Sequence, residues 1–294
     1  MKNKILLSIC IPTYKRAKYL DICLQSILHY KNDNIEILVQ DNNSPDNTSE
    51  IVSKYKDNRI KYEKNKSNIG PIKNIWLLIN KAKGDYVFCL TDDDYFLPGA
   101  IQKLIDFITT THPVCFKSDL IILLEKSKTS SYYKVKNNSK EELFLFSHIF
   151  TGLCFKKEEL FKKLDTKFQY NNYPSMVIMG LLIGDATYLD QPIAMHIWEN
   201  EVHWGEGLEP ENENIKNEMI SLILMLKTYI DTKVFKNILI NHAIRNNGLN
   251  DKFREQLSNK DVLKIKKSIL KNNIKNGLIK FSKKYFNKSY PNSV

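Results

Sequence analysis

The chain contains no C-x-x-C pair and no cluster of cysteine and histidine at zinc-ligand spacing. Its five cysteines stand apart at 10, 23, 89, 115 and 154. Three of them lie in apolar, strand-like runs, so they read as buried free thiols of a reducing compartment and not as a disulfide framework. No run approaches the roughly 20 apolar residues that cross a bilayer. The longest candidate, Met219 to Leu226, is short and continues into Lys227. The amino terminus lacks the small-residue cleavage site of a signal peptide, because Ile5–Ile11 passes directly into Pro12-Thr13-Tyr14-Lys15-Arg16. No internal repeat is present, which sets aside solenoids and propellers.

What is there is the composition of a soluble globular protein: 43% hydrophobic and 26% charged over 294 residues, long enough to bury a full core. The formal charge of +11 is unevenly placed. From Lys252 to Val294 there are 12 Lys/Arg against Glu255 and Asp261, a balance of +10, so residues 1–251 are close to neutral.

The first hundred residues alternate two hydrophobic periods. Ile5–Ile11, Ile35–Gln40, Arg59–Glu63 and Asp85–Leu90 read as strands, the first nearly all apolar as in a parallel sheet covered on both faces. Ala17–Tyr30, Asp46–Lys56, Pro71–Lys81 and Pro98–Thr111 have helical spacing or helix-start signals. This β-α order predicts an α/β fold with a doubly wound, mostly parallel, Rossmann-like sheet. Beyond Pro113 the pattern loosens. Val114–Phe116, Leu120–Leu124, Tyr132-Tyr133, Gly152–Phe155, Ala186–Leu189 and Ile193–Trp198 read as strands, Leu143–Phe150 and Ser175–Ile183 as helices, and Asn200–Asn214 as an acidic surface loop. From Ile215 onward the signal is helical.

The strand at Tyr86–Leu90 ends on Thr91 and three consecutive carboxylates, Asp92-Asp93-Asp94. Like charges this close raise each other's pKa, and a hard divalent cation such as Mn²⁺ or Mg²⁺ relieves the repulsion. The carboxyl ends of strands in an open α/β sheet are also where ligands sit. A solvated acidic turn leading into the helix near Pro98 is the plainer alternative. Asp41 stands at another strand end, where it can cap the Ser44–Asn47 turn, and Pro12 and Tyr14 stand at the end of the first strand.

Three strand-end motifs precede the acidic run: Cys10-Ile11-Pro12-Thr13-Tyr14-Lys15-Arg16, Gln40-Asp41-Asn42-Asn43-Ser44-Pro45-Asp46, and Asn65-Lys66-Ser67-Asn68-Ile69-Gly70-Pro71. In this order and spacing they resemble the inverting family 2 glycosyltransferases. The likeness is strong over residues 5–100 and looser over 101–200. It implies a GT-A fold and a nucleoside-diphosphate sugar as donor, with a hydroxyl of a cell-surface glycan or lipid-linked oligosaccharide as acceptor. It places the nucleotide against Pro12, Thr13, Tyr14, Arg16, Asp41, Asn68 and Gly70, and against Thr91, Asp92 and Asp93. Alignment on Pro98 puts Thr91 where the family's first acid stands. A divalent cation, Mn²⁺ or Mg²⁺, is then expected on Asp94 or Asp93, and on a histidine for which His203 is the candidate.

The catalytic base does not follow from the same alignment. The family carries a carboxylate before a helix in the second half, whereas Tyr170-Asn171-Asn172-Tyr173-Pro174 has none. Asp185, Glu201 and His203 are the base candidates, with Asp165, Asp190 and Glu199 nearby and His196, Trp198 and Trp204 in the same polar stretch. The expected organisation is a GT-A domain over 1–210, with 1–100 on the nucleotide-sugar side and 101–210 on the acceptor side, followed by a helical, basic extension over 211–294. The apolar positions of that extension (Val262, Ile265, Ile269, then Ile274, Leu278, Phe281 and Tyr285) alternate with lysines, the pattern of a helix lying on an anionic membrane. No nucleic-acid motif accompanies it. The expected place is cytoplasmic, peripheral to the inner face of the plasma membrane. Two other functions share part of the pattern: a sugar-activating nucleotidyltransferase, for which Pro12-Thr13-Tyr14 lacks a Gly-rich phosphate loop, and a non-catalytic nucleotide-binding scaffold at the membrane.

Overall fold

The computed structural model describes residues 4–124, 126–134, 139–164, 174–198, 223–224, 227, 231–245 and 251–271. They fall into two compact units, 1–230 and 231–294. Among the described residues no helix is long and apolar enough to cross a membrane.

The first unit is built on a sheet of nine strands: β1 (Leu7–Thr13), β2 (Ile35–Asp41), β3 (Ile60–Lys64), β4 (Tyr86–Cys89), β5 (Tyr95–Phe96), β6 (Cys115–Leu124), β7 (Thr129–Tyr133), β8 (Leu153–Lys156) and β9 (Ala186–Trp198). Their order is β3-β2-β1-β4-β8-β6-β9-β5, with β7 on β6. Strands β1 to β4 are mutually parallel, β8 runs against β4 and β6, and β9 runs parallel to β6. The chain therefore builds outward from β1 to β3 and then returns to lay β4 on the other side of β1. That reversal opens a crevice at the carboxyl ends of β1 and β4, where an α/β sheet receives its ligand.

Helices cover both faces. α1 (Ala17–Leu28), α2 (Thr48–Ser53) and α4 (Ala100–Thr111) lie on one side, where Leu20, Leu24, Ile27, Val52, Leu104 and Ile108 pack with Ile9, Phe88 and Phe116. α3 (Pro71–Lys81) packs on β1 and β2 and meets α7 (Pro174–Leu182). α5 (Lys140–Phe146) and α6 (Lys157–Lys163) also pack against α7. Double cover explains why β1 and β2 are buried almost throughout, and α7 is buried at every position.

The structure joins what the sequence splits. Val114–Phe116 and Leu120–Leu124 are one strand, β6, and Ala186–Leu189 and Ile193–Trp198 are one strand, β9. The interruptions are polar residues at the register shifts where Ser118, Asp119 and Leu120 meet Leu189, Pro192 and Ala194. The helix α6 carries no strong apolar period and is not apparent from the sequence. All five cysteines are buried free thiols. In the second unit, helices span Thr232–Arg245, Asp251–Arg254 and 259–271.

Candidate active site

β4 leaves the sheet with Leu90 donating to the Cys10 carbonyl at 3.1 Å, and the Asp94 amide closes a turn on the Thr91 carbonyl at 3.2 Å. The acids on this turn are not a solvated loop: Asp92 is 3%, Asp93 9% and Asp94 0% exposed. Arg16, itself buried at the junction of β1 and α1, donates from Nη1 to Asp92 Oδ1 at 3.1 Å and to Asp93 Oδ2 at 2.9 Å. One guanidinium thus faces two of three neighbouring carboxylates. Burial, reinforced by the Asp93 charge, pushes Asp92 up to about 7 although Arg16 pulls the other way. Burial and the Asp94 charge likewise hold Asp93 above the usual carboxylate range. Burial alone would lower the pKa of Arg16, but Asp92 and Asp93 raise it beyond the ordinary arginine value. The turn still favours additional positive charge.

Asp94 points inward and has a different set of partners. Its oxygens accept from His196 Nδ1 at 3.0 and 2.9 Å, from the Ile197 amide at 2.9 Å, and from the Thr151 hydroxyl. These bonds fasten β9 to the turn. Burial would depress His196, but the Asp94 charge and hydrogen bond outweigh it and raise the imidazole above its usual value. Thr151 also accepts from the Thr91 amide at 3.0 Å. Lys117 on β6, 1% exposed, donates to the carbonyls of Ile149, at 2.6 Å, and Thr151. Burial lowers its ammonium to about 7, against the opposing pull of Cys89 and Asp94.

The other strand ends meet beside this turn. Thr13 and Asp41 are register partners in β1 and β2. Asp41 is fully buried, accepting from the Ser44 amide at 2.7 Å and the Tyr62 hydroxyl at 2.6 Å. Lys15 takes a positive φ of 56° and donates its amide to Ser44 Oγ at 3.0 Å, which stitches the end of β1 to the turn after β2. Asp46 caps α1 through the Ala17 amide at 3.1 Å. Asn42 organises the third loop: its Oδ1 accepts from the Ile69 amide at 2.9 Å and Asn65 Nδ2 at 3.0 Å, and its Nδ2 donates to Asn68 Oδ1 at 2.7 Å. Asn68 is exposed, and Gly70 adopts a φ of 82° that only glycine takes cheaply. Pro12 and Tyr14 are half-buried at the same rim.

The residues singled out from the sequence therefore divide. Thr13, Arg16, Asp41, Thr91, Asp92, Asp93 and Asp94 gather at the carboxyl ends of β1, β2 and β4, with Asn68 and Gly70 on the adjoining loop. Asp185 does not join them. It follows α7 and precedes β9, whose first residue, Ala186, pairs with Cys115 at the start of β6. That is the amino end of the sheet, where Asp185 is exposed and faces Lys163 at 3.4 Å. Asp190 is exposed and pairs with Lys134. Asp165, residues 170–173, Glu199, Glu201, His203 and Trp204 lie outside the described residues. Among the described residues no three His, Cys, Asp or Glu side chains converge as a ready-made metal cage. Thr151 and Lys117 were missed from the sequence. Lys117 opens Lys117-Ser118-Asp119, which reads as a break between two strands, and Thr151 leaves no signal.

Comparison with known proteins agrees with this geometry. The family described as "Glycosyl transferase family 2" matches residues 8–164. The abequosyltransferase RfbV of Salmonella typhimurium is 26% identical over 271 residues, covering 82% of this chain and 79% of that protein. A GalNAc(5)-diNAcBac-PP-undecaprenol beta-1,3-glucosyltransferase of Campylobacter jejuni is 37% identical over 101 residues, 33% of each chain. Among solved structures, TarS 1–349 of S. aureus in complex with UDP-GlcNAc superposes with a TM-score of 0.67 at 17% identity, over 81% of this chain and 72% of that one. The mannosyltransferase PcManGT of Pyrobaculum calidifontis, in complex with GDP-Man and Mn²⁺, gives 0.57 at 13% identity over 80% and 68%. The sheet is thus of the glycosyltransferase GT-A kind, and the chain belongs to glycosyl transferase family 2.

Proposed function

We propose that the protein transfers a sugar from a nucleoside-diphosphate sugar to a hydroxyl of a cell-surface glycan or lipid-linked oligosaccharide, with a divalent cation at Asp93. The observation that carries this reading is the buried Asp92–Asp94 turn, held by Arg16 at the switch point of the sheet beside Thr13 and Asp41. One relative, named for glucosyl transfer to GalNAc(5)-diNAcBac-PP-undecaprenol, supports the acceptor class, and another is named for abequosyl transfer. Complexes of fold neighbours with UDP-GlcNAc and with GDP-Man and Mn²⁺ support the donor class and the cation.

The residues present fit a hard cation. Asp93 offers carboxylate oxygen, its neighbours raise its affinity for positive charge, and Mn²⁺ or Mg²⁺ in such sites takes one or two carboxylates and completes its shell from phosphates and water. Asp94 is wholly buried and ties β9 and Thr151 to the turn, whereas Asp93 keeps 9% exposure beside Arg16, so we assign the direct contact to Asp93 and a fastening role to Asp94. When bound, the cation neutralises the diphosphate leaving group as a Lewis acid. The chain's own residues do the rest. Thr13 lines the base slot between Pro12 and Tyr14, with Asp41 behind it fixing the Ser44 amide and the Tyr62 hydroxyl, while Asn68 and Gly70 bring backbone to the nucleotide. Thr91 and Asp92 face the ribose or sugar, and Arg16 sets the spacing of Asp92 and Asp93. In an inverting transfer a general base takes the acceptor hydroxyl proton as oxygen attacks C1. Glu201 and His203 are the residues we assign to that test, with His203 also a candidate for the cation.

We also place the protein on the cytoplasmic face of an anionic membrane. Val262 and Ile265, expected to face lipid, are buried, whereas Leu263 and Leu270 are 53% and 61% exposed. Leu263, Lys266, Lys267, Leu270 and Lys271 recur at three- and four-residue steps and are all exposed, which puts two apolar side chains among three cations on one face. Several lysines near an anionic leaflet add about 1 kcal/mol each.

The central test is a thermal-shift and turnover screen of UDP, GDP, CDP and dTDP and their sugars, with and without Mn²⁺. Cation-dependent stabilisation by one diphosphate, with release of that diphosphate from its sugar, is expected. No stabilisation by any of them would overturn the reading. Flotation with phosphatidylglycerol vesicles should succeed at 0.1 M salt and fail at 1 M, where the Debye length falls from about 10 to about 3 Å.

A further inference from the structure

We propose that Thr151, fixed from below by Lys117, is a positioning residue of the donor site: its hydroxyl sets the Asp94 end of the acidic turn and so presents Asp93 to the cation and diphosphate. This inference rests on the donor and cation reading above.

Thr151 is fully buried on the short segment between α5 and β8, 57 residues away in sequence from Asp94. Its hydroxyl spans the turn. It donates to the Asp94 carboxylate at one end and accepts from the Thr91 amide at the other, 3.0 Å away. Thr91 and Asp94 are also the two residues whose backbones close the turn. A single oxygen therefore holds both ends of the loop on which Asp92 and Asp93 sit.

The hydroxyl is itself immobilised through its backbone. Lys117 donates to the carbonyls of Ile149 and Thr151, and the next residue, Gly152, donates its amide to Cys89 at 3.1 Å and accepts from the Ser118 amide at 3.0 Å. Gly152 has a φ of 86°, and a Cβ there would meet Ser118 Oγ at 2.7 Å. These bonds pin the segment between β4 and β6. Burying an ammonium is costly, and the bonds shown for Lys117 go to the carbonyls of this segment, which fits a cation retained to fix a shape. Outer residues that orient a metal-binding side chain typically change affinity or activity 10–100-fold when removed.

The test compares Thr151→Val, which keeps the shape and loses the hydroxyl, with Thr151→Ser, which keeps the hydroxyl. Calorimetry reads Mn²⁺-dependent affinity for the diphosphate that binds the wild type best, steady-state kinetics reads kcat and KM for the corresponding sugar donor, and thermal melting reports the fold. Thr151→Val should weaken Mn²⁺-dependent diphosphate binding about 10–100-fold and lower kcat/KM similarly. Thr151→Ser should recover both to within about threefold, the residue being the methyl group's share. Lys117→Met should reproduce Thr151→Val if it folds. The Thr151 pair decides the matter if it does not. Equal diphosphate affinity and kcat/KM in folded Thr151→Val and wild type would overturn the proposal. Absence of Mn²⁺-dependent diphosphate binding in the wild type would instead overturn the reading on which it rests.

Discussion

The two ends of the sheet hold the same kinds of charge in opposite states. At the carboxyl end, Arg16, Asp92, Asp93 and Asp94 are each less than a tenth exposed and tied to one another or to His196, Thr151 and backbone. At the amino end, Lys4–Asp85 and Lys163–Asp185 pair in solvent, at exposures of 80%/41% and 40%/58%. The amino end also has an open cleft of about 640 Å³ that includes Lys4, Tyr86, His112, Lys156 and Phe161 in its lining. An opening by itself is a poor guide to function, and the chemistry of its lining is the better one. An open cleft with solvated charges recognises little, whereas buried like charges persist only where they are used or compensated.

The sharpest way to test the comparison is Asp93→Asn. If Asp93 holds the cation, its loss removes the Lewis acid for the leaving group, and transfer should fall on the order of 10³-fold, several kcal/mol of barrier. The melting temperature without metal should stay level or rise, because one of three adjacent charges has gone. Full activity in this variant, assayed with saturating donor and Mn²⁺, would reduce the acidic turn to architecture.

Next in size is the fastening of the turn. Arg16→Met leaves Asp92 and Asp93 buried without their shared cation, and breaking a buried pair from one side costs about 3–5 kcal/mol. That is a fall in melting temperature on the order of 10 °C for a unit of this size. Asp94→Asn should also destabilise, since it presents an NH₂ where carboxylate oxygen now meets three donors. Calorimetric melting of Asp93→Asn and Asp94→Asn side by side separates the two carboxylates. If they melt alike, the division into a binding and a fastening residue is wrong.

How much of this was legible in the sequence follows the range of the interactions. β1 to β4 and their helices announce themselves because each buries a local, periodic face, and Pro71–Lys81 is read to the residue. The acids, Asp41 and Arg16 are legible because each sits at the end of such an element. β6 and β9 are misread as two strands each because Lys117-Ser118-Asp119 and Asp190-Gln191-Pro192 look like loops. Only the fold shows that Lys117 and Asp119 find partners inside, at the carbonyls of Ile149 and Thr151 and at the hydroxyls of Tyr132 and Tyr188. Thr151 and His196 reach Asp94 across 57 and 102 residues, and no local pattern records that. Asp185 shows the converse: the sequence displays a carboxylate near an apolar helix but not which end of the sheet it occupies.

Lys117 gives a smaller effect with a definite sign. Its folded pKa of about 7 lies below the ordinary lysine value of 10.5. Between those values the unfolded chain binds more protons than the native state, so the stability contributed by this group rises with pH through the window. The difference in urea stability between wild type and Lys117→Met should therefore shift in favour of the wild type by about 2 kcal/mol from pH 7 to 9, at most 1.36 kcal/mol per unit. A flat difference across that range would mean that the lysine is not deeply desolvated.

The smallest effect is expected at the amino end. Asp185 is a base candidate by sequence, but β9 pairs from Ala186 on Cys115 to His196 on Ile122, seven residues of β6 that at about 3.3 Å each separate it from Asp94 by roughly 20 Å. Proton removal needs hydrogen-bond reach of the acceptor hydroxyl, or one intervening water. A residue at the far end of the strand has neither while the sugar is held beside Asp93. Its ion pair with Lys163 is exposed, and such pairs contribute about 0–1 kcal/mol. Asp185→Asn should accordingly change kcat/KM by less than about twofold and barely move the melting temperature, whereas Glu201→Gln or His203→Gln should lower kcat if either serves as base. A tenfold loss of kcat in Asp185→Asn, with diphosphate affinity intact, would place the acceptor at the amino end and undo the assignment of the chemistry to the other.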